Sequence, residues 1–147
     1  MKQVLLIDGS PIFKEFLSKK LTEESIKVEA SNGERDAFIK LVSLLPDLVI
    51  IDLLNFSGDL MEFLSKKQSN PNAKSIPIIL CGPKIDRSNL ASLIKYGVIK
   101  YFTTPIKFDI FFETIGRVLK ESFSFDTTPC VLDLHLNKSI VFIEVAE

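Results

Sequence analysis

The sequence predicts an α/β protein, a doubly wound parallel sheet of five strands in the order 2-1-3-4-5, and three observations carry that prediction. Residues 46–52 place four consecutive aliphatics, Leu48 to Ile51, behind Pro46, which is the composition of a central strand covered on both faces. Residues 4–8 repeat the arrangement, so Asp8 and Asp52 each fall at a strand's carboxyl end, the ligand-facing edge of an open α/β sheet. Five strand-like runs alternate with five helix-like runs along the chain, and parallel neighbours need such crossover connections. In this strand order the crevice lies over the ends of strands one and three, where Asp8 and Asp52 meet.

Strand one, residues 3–7, ends at Asp8-Gly9-Ser10-Pro11. Ser10 suits an N-cap and Pro11 the first helical position, where a missing N–H leaves no bond unmade. The helix that follows, to residue 22, sets Phe13, Leu17 and Leu21 beside Ile12 and Phe16 at core-stripe spacing, and packing accounts for all five. Residues 27–30 form a short strand, Ser31-Asn32-Gly33 turns, and a helix carries Phe38, Leu41, Val42 and Leu45 on one face. After the Asp52 strand comes an irregular stretch, 53–59, with Gly58 as its flexible point. A short helix at 60–67 leads to strand four at 76–81, with Pro77 at its beginning. Asp86 or Ser88 starts a helix bearing Leu90, Leu93 and Ile94 as far as a Gly97 stop. Strand five, 101–103, meets Thr104-Pro105, and a last helix at 106–121 shows Phe108, Phe111, Phe112, Ile115, Val118 and Leu119. Ile110 widens that apolar surface, through either a broad core face or a partner contact.

The 147 residues suffice for one domain over 1–121, with an extension at 122–147. In the extension Cys130, Leu132, Leu134 and Leu136 alternate with Val131, Asp133 and His135, and a second run follows at 139–145 after Asn137-Lys138. This reads as a β-hairpin, which alone is marginal in water. It therefore docks on its own domain, pairs with a second copy, or opens a further domain.

With 18 basic and 19 acidic side chains, the chain carries no bulk field toward nucleic acid or an anionic membrane. Its apolar runs fall far short of the roughly 20 residues of a spanning helix, and the N-terminus lacks the build of a signal peptide. A cytoplasmic location is expected. Cys81, Cys130 and His135 give neither a zinc spacing nor a disulfide framework, and 12 Phe without Trp indicate an aromatic core.

Taken in order and spacing, VLLID (4–8), ASNG (30–33), PDLVIID (46–52), IPII (76–79) and YGVIKYFTTPI (96–106) resemble the receiver domain of bacterial two-component response regulators, over about residues 2–120. The resemblance implies a flavodoxin-like fold in which a partner kinase histidine passes a phosphoryl group to Asp52. It also implies a Mg²⁺ held by two acids after strand one, by Asp52, and by the backbone carbonyl of Leu54, since a hard cation wants such oxygens. The sequence departs from this pattern at three places. Gly9 stands for the second acid, Gly82 (after Cys81) for the Ser or Thr that bonds phosphoryl oxygens, and Thr104, before Pro105, for a lysine. Tyr101 matches an aromatic that switches rotamer on phosphorylation, and without those partners it is expected to be fixed.

Phosphoryl transfer depends on positioning and charge neutralisation, so losses at three contacts of ~2 kcal/mol each would slow it on the order of 10⁴-fold. The reading that follows is a degenerate receiver, not an enzyme. It would need no cofactor, would hold Mg²⁺ at Asp8 and Asp52 weakly or not at all, and would act by protein contact through the fourth and fifth helices. Its expected partners are signalling proteins, a histidine kinase among them, or a second copy. The alternative is a working phosphoacceptor, with Asp52 phosphorylated by a histidine kinase. In the degenerate reading, amides or the Ser10, Thr103 or Thr104 hydroxyls hold Asp8 and Asp52, while Asn55 and Asp59 face solvent. A phosphatase with an aspartyl nucleophile would want a second acid at Leu54, and a flavin site rests on fold analogy alone.

Overall fold

The computed structural model describes residues 2–56, 58–120 and 144–146, with Arg87, Lys120 and 144–146 described in backbone only. Its elements are β1 (Lys2–Ile7), α1 (Pro11–Thr22), β2 (Ile26–Ser31), α2 (Gly33–Leu44), β3 (Leu48–Asp52), α3 (Leu60–Ser69), β4 (Ile78–Gly82), α4 (Arg87–Ala91), a 3-10 turn (Ile94–Tyr96), β5 (Val98–Thr103), α5 (Phe108–Lys120) and β6 (Glu144–Ala146). Five parallel strands lie in the expected order β2-β1-β3-β4-β5, and β6 pairs alongside β5 in parallel, with Lys100 opposite Glu144.

Every residue of β3 and β4 is buried, because both strands have a neighbour on each side and helices over each face. Alternation along the strands divides the core in two. One half packs Leu5, Ile7, Val49, Ile51, Ile78, Leu80 and Tyr101 beneath Ala37, Leu41, Phe63 and Leu64 of α2 and α3. The other packs Leu6, Leu48, Ile50, Ile79, Cys81 and Phe102 beneath Leu17 and Leu21 of α1 and Phe111, Ile115 and Leu119 of α5. Phe102 and Phe111 meet edge to face at 5.0 Å, inside the aromatic core that the phenylalanine content foretold. The α1 start is as expected: Ser10 Oγ accepts the Phe13 N–H at 3.2 Å and Pro11 opens the helix.

Several details differ from the sequence reading. Ile12 is 81% and Phe16 42% exposed, so the apolar stripe of α1 is wider than the surface it buries. Leu45 is also exposed, because α2 ends at Leu44 and Leu45 turns left-handed as its C-cap. The helix expected to reach Gly97 is broken into α4 and the 3-10 turn. Ser92 Oγ donates to the Asn89 carbonyl at 2.8 Å, a local bond of the kind that competes with helix continuation. Ile110 is partly buried against the α5 side of the core, which favours the broad core face. Strand four begins at Ile78, although the Pro77 carbonyl still accepts from Val49 N–H at 3.0 Å. The hairpin expected over 130–145, with Cys130 and His135, lies outside the described residues apart from Glu144–Ala146.

Candidate functional site

Ile7 pairs with Ile51 across β1 and β3, so Asp8 and Asp52 stand one step further on, at adjacent strand ends on the carboxyl edge. Both are nearly buried. The sequence placed these two acids together, and the fold does so as well.

Asp8 takes a left-handed backbone, φ +58°, which short polar side chains tolerate best after glycine. From there its Oδ1 accepts the Gly33 N–H at 2.7 Å. Gly33 opens α2, whose own N-cap residue Asn32 makes no side-chain cap bond. Asp8 therefore caps that helix from across the sheet, placing an anion at the positive end of its dipole. Asp8→Ala is expected to lower stability by about 1 kcal/mol in urea unfolding, and an unchanged midpoint would contradict the capping role.

Asp52 is held by its own loop. Its Oδ1 accepts the Leu54 N–H at 3.1 Å and its Oδ2 the Asn55 side-chain amide at 3.0 Å. Asn55 is thus a partner of the acid, not merely a solvent-facing residue, whereas Asp59 is exposed and caps α3 by accepting from Glu62 N–H at 3.2 Å. The hydroxyls named as alternatives are engaged elsewhere or unpartnered. Ser10 caps α1, Thr104 Oγ1 lies 3.5 Å from the Gly82 carbonyl, and the buried Thr103 Oγ1 has no hydrogen-bond partner.

A residue the sequence did not single out organises the same edge. Glu34 Oε1 accepts the Asp59 N–H at 3.2 Å, and Lys66 Nζ stands 4.0 Å from Oε2, which straps the loop after β3 onto α2. Gly58 is required beneath the strap. Its φ is +111°, and a Cβ there would come within 2.9 Å of Glu34. A Gly-Asp step followed by an apolar run signals the α3 cap, but nothing local to Glu34 signals its reach of 25 residues.

Three further positions shape the pocket. At Gly9 a Cβ would lie 2.7 Å from Leu6 Cδ2, so an acid there requires Leu6 to move. At Gly82 a Cβ would lie 2.9 Å from the Tyr101 hydroxyl and 3.0 Å from Leu53 Cβ. Tyr101 is fully buried, and its hydroxyl donates to the Pro83 carbonyl. Burial pushes its phenol up to about 12. The Cys81 thiol is pushed up as well, by burial first and then by the charge of Asp52, so it stays protonated and inert. Thr104 precedes Pro105 through a cis peptide bond.

No family model matches the chain. Over 120 residues it is 27% identical to the response regulator ArlR of Staphylococcus aureus, a match covering 82% of this chain and 53% of that protein, so the chain spans about half the length of the curated relatives it matches. Among solved structures it is similar to the chemotaxis response regulator CheY4 of Vibrio cholerae, with TM-score 0.70 and 21% identity over 80% of this chain and 98% of that one. It is also similar to a two-component response regulator from Clostridium difficile, with TM-score 0.72 and 20% identity over 84% of this chain and all (100%) of that one. The fold is that of a response-regulator receiver domain.

Asp52, which the resemblance makes the expected acceptor, ends the central strand, and Leu54 gives its N–H to that carboxylate. The metal of the resemblance does not fit the residues present. One of the two acids caps a helix, the place of the third is Gly9 packed against Leu6, and among the described residues no three His, Cys, Asp or Glu gather to hold an ion. Ile94 is the exposed large apolar side chain between α4 and β5, while Ile12 and Phe16 stand out on α1 and Leu54 in the loop after Asp52. Phe16 leans edge-on against Phe108 at 4.9 Å and Phe112 at 5.8 Å, so the patch continues onto α5. Among the described residues no helix is long and apolar enough to cross a membrane.

Proposed function

We propose that this chain is a receiver-type module of two-component signal transduction that works by contact with partner proteins, with phosphoryl transfer to Asp52 absent or strongly weakened. The observation that carries the reading is the state of the two acids. Asp8 is committed to the α2 N-terminus, and both oxygens of Asp52 already accept hydrogen bonds from Leu54 and Asn55. Thr104 at the usual lysine position adds no positive charge for an arriving phosphate. The partners are signalling proteins of the kind that meet response regulators, a histidine kinase included.

The α1 patch of Ile12 and Phe16, which continues onto Phe108 and Phe112 of α5, supports an aliphatic and aromatic contact surface there. A Mg²⁺ titration followed through the amide resonances of Asp52, Leu54 and Gly33 tests the site. The expected result is no saturation across the millimolar range. Saturable binding that shifts Leu54 and Gly33 together would overturn the reading, because it would mean that both carboxylates leave their protein donors for the ion.

A further inference from the structure

We propose that the groove between α1 and α5 is the face through which two copies of this chain associate, the apolar ridge of each copy seated in the groove of the other. The proposal rests on the contact reading above, in that it names what the surface meets, and it does not involve Asp52.

α1 and α5 run side by side in the same direction, since Phe13 and Phe16 meet Phe108 and Phe112 at one end while Leu21 and Leu119 wall one cavity at the other. The two ends of the pair have opposite shapes. At the first, Ile12 and Phe16 stand exposed as a ridge that Phe108 and Phe112 continue. At the second, Leu21, Phe112, Ile115, Gly116 and Leu119 wall an open cavity of about 430 Å³, which has room for side chains of such a ridge. Gly116 keeps it open. A β-carbon there would meet no atom of the described residues within 4 Å, so packing among them does not call for glycine, and glycine weakens a helix interior relative to alanine. What bare backbone offers at this position is close approach by another surface.

A ridge and a groove at opposite ends of the same two parallel helices make a self-complementary shape. A two-fold axis between copies reverses the helices and lays each ridge over the other copy's groove. The charges agree with that register. Lys20 of α1 lies toward the groove end and Asp109 of α5 toward the ridge end, and among the described residues neither has an ion pair. The reversal sets Lys20 of one copy against Asp109 of the other, a contact that fixes register more than it adds affinity.

Sedimentation equilibrium of the full chain, carried up to millimolar concentration, tests the proposal. Twice the chain mass is expected. Ile12→Glu, at an exposed position, and Gly116→Leu, which fills the groove from within, are each expected to weaken association about tenfold or more. Urea midpoints keep this apart from misfolding: Gly116→Leu is expected to leave the midpoint unchanged or raised, since leucine suits the helix and meets open space. Lys20→Asp and Asp109→Lys are each expected to weaken the dimer, and the double exchange to restore it, because across a two-fold contact the exchanged charges still face one another.

A chain that stays monomeric would overturn the proposal and leave the surface to a different signalling protein. A dimer that neither Ile12→Glu nor Gly116→Leu weakens, or that the double exchange does not restore, would overturn it too. A lowered midpoint for Gly116→Leu in a monomeric chain would assign the groove to residues 121–143 of the same chain, again against the proposal. Labelling of Asp52 would overturn the functional reading alone and a monomer this proposal alone, so the two failures are distinguishable.

Discussion

Stability is expected to rise by about 3 kcal/mol between about pH 8 and 10.5 on account of one side chain, Lys67, and Lys67→Met is expected to abolish that rise. Lys67 is fully buried at the end of α3, where its Nζ donates to the Lys74 carbonyl at 3.0 Å and approaches the Tyr96 carbonyl at 3.4 Å. Both of these acceptors are neutral carbonyls. Burial away from water therefore lowers its pKa from 10.5 to about 8. Between those values the unfolded chain holds a proton that the folded chain has released, so raising the pH favours the folded state. At about 1.4 kcal/mol per pH unit, the interval gives the figure above. Below about pH 8 the penalty is fully present.

Tyr101 acts with the opposite sign. Its phenol is pushed up to about 12, so its contribution is complete below pH 10 and is lost as pH rises from there. Urea midpoints of the native protein and of Lys67→Met, compared between pH 7 and 10, separate the two effects. Parallel curves would contradict the account of Lys67.

Lys67 also shows how far the chain could be read in advance. Leu60, Phe63, Leu64 and Lys67 share one stripe of α3, so helical spacing alone puts the lysine on the buried face. A reading guided by apolar residues passes over it. By contrast the central strand was legible because Leu48 to Ile51 suit only a site covered on both faces, and the start of α1 because Ser10 and Pro11 each have a local physical reason to stand there. What escaped was non-local or finely balanced. The leucines of α4 have helical spacing, yet Ser88, Asn89 and Ser92 are weak helix formers and the chain tightens into a 3-10 turn before Gly97. How much of the α1 stripe is covered depends on the position of α5, which periodicity does not contain.

At the site, the identities of the residues were legible and their bonds were not. Asp8, Asp52, Gly9, Gly82 and Thr104 could be placed from motif order. That Asp8 would cap α2 across 25 residues, or that Asn55 would turn back to Asp52, required the coordinates. Tyr101 illustrates the difference: its position could be placed from the motif, while the bond from its hydroxyl to the Pro83 carbonyl could not.

In the proposed reading the pocket holds the fold together and does not receive phosphate. A receiver-type transfer spreads negative charge over the moving group and relies on fixed cations and donors to meet it. At Gly9, Gly82 and Thr104 three such contacts are absent, and at ~2 kcal/mol each the reaction would slow on the order of 10⁴-fold. Reinstating one of them would recover little, since groups that act as a unit are not additive. The most direct measurement is intact-protein mass spectrometry after incubation with acetyl phosphate and Mg²⁺. The account predicts a mass unchanged from the untreated chain. Stoichiometric addition of one phosphoryl group, lost in Asp52→Asn, would contradict it.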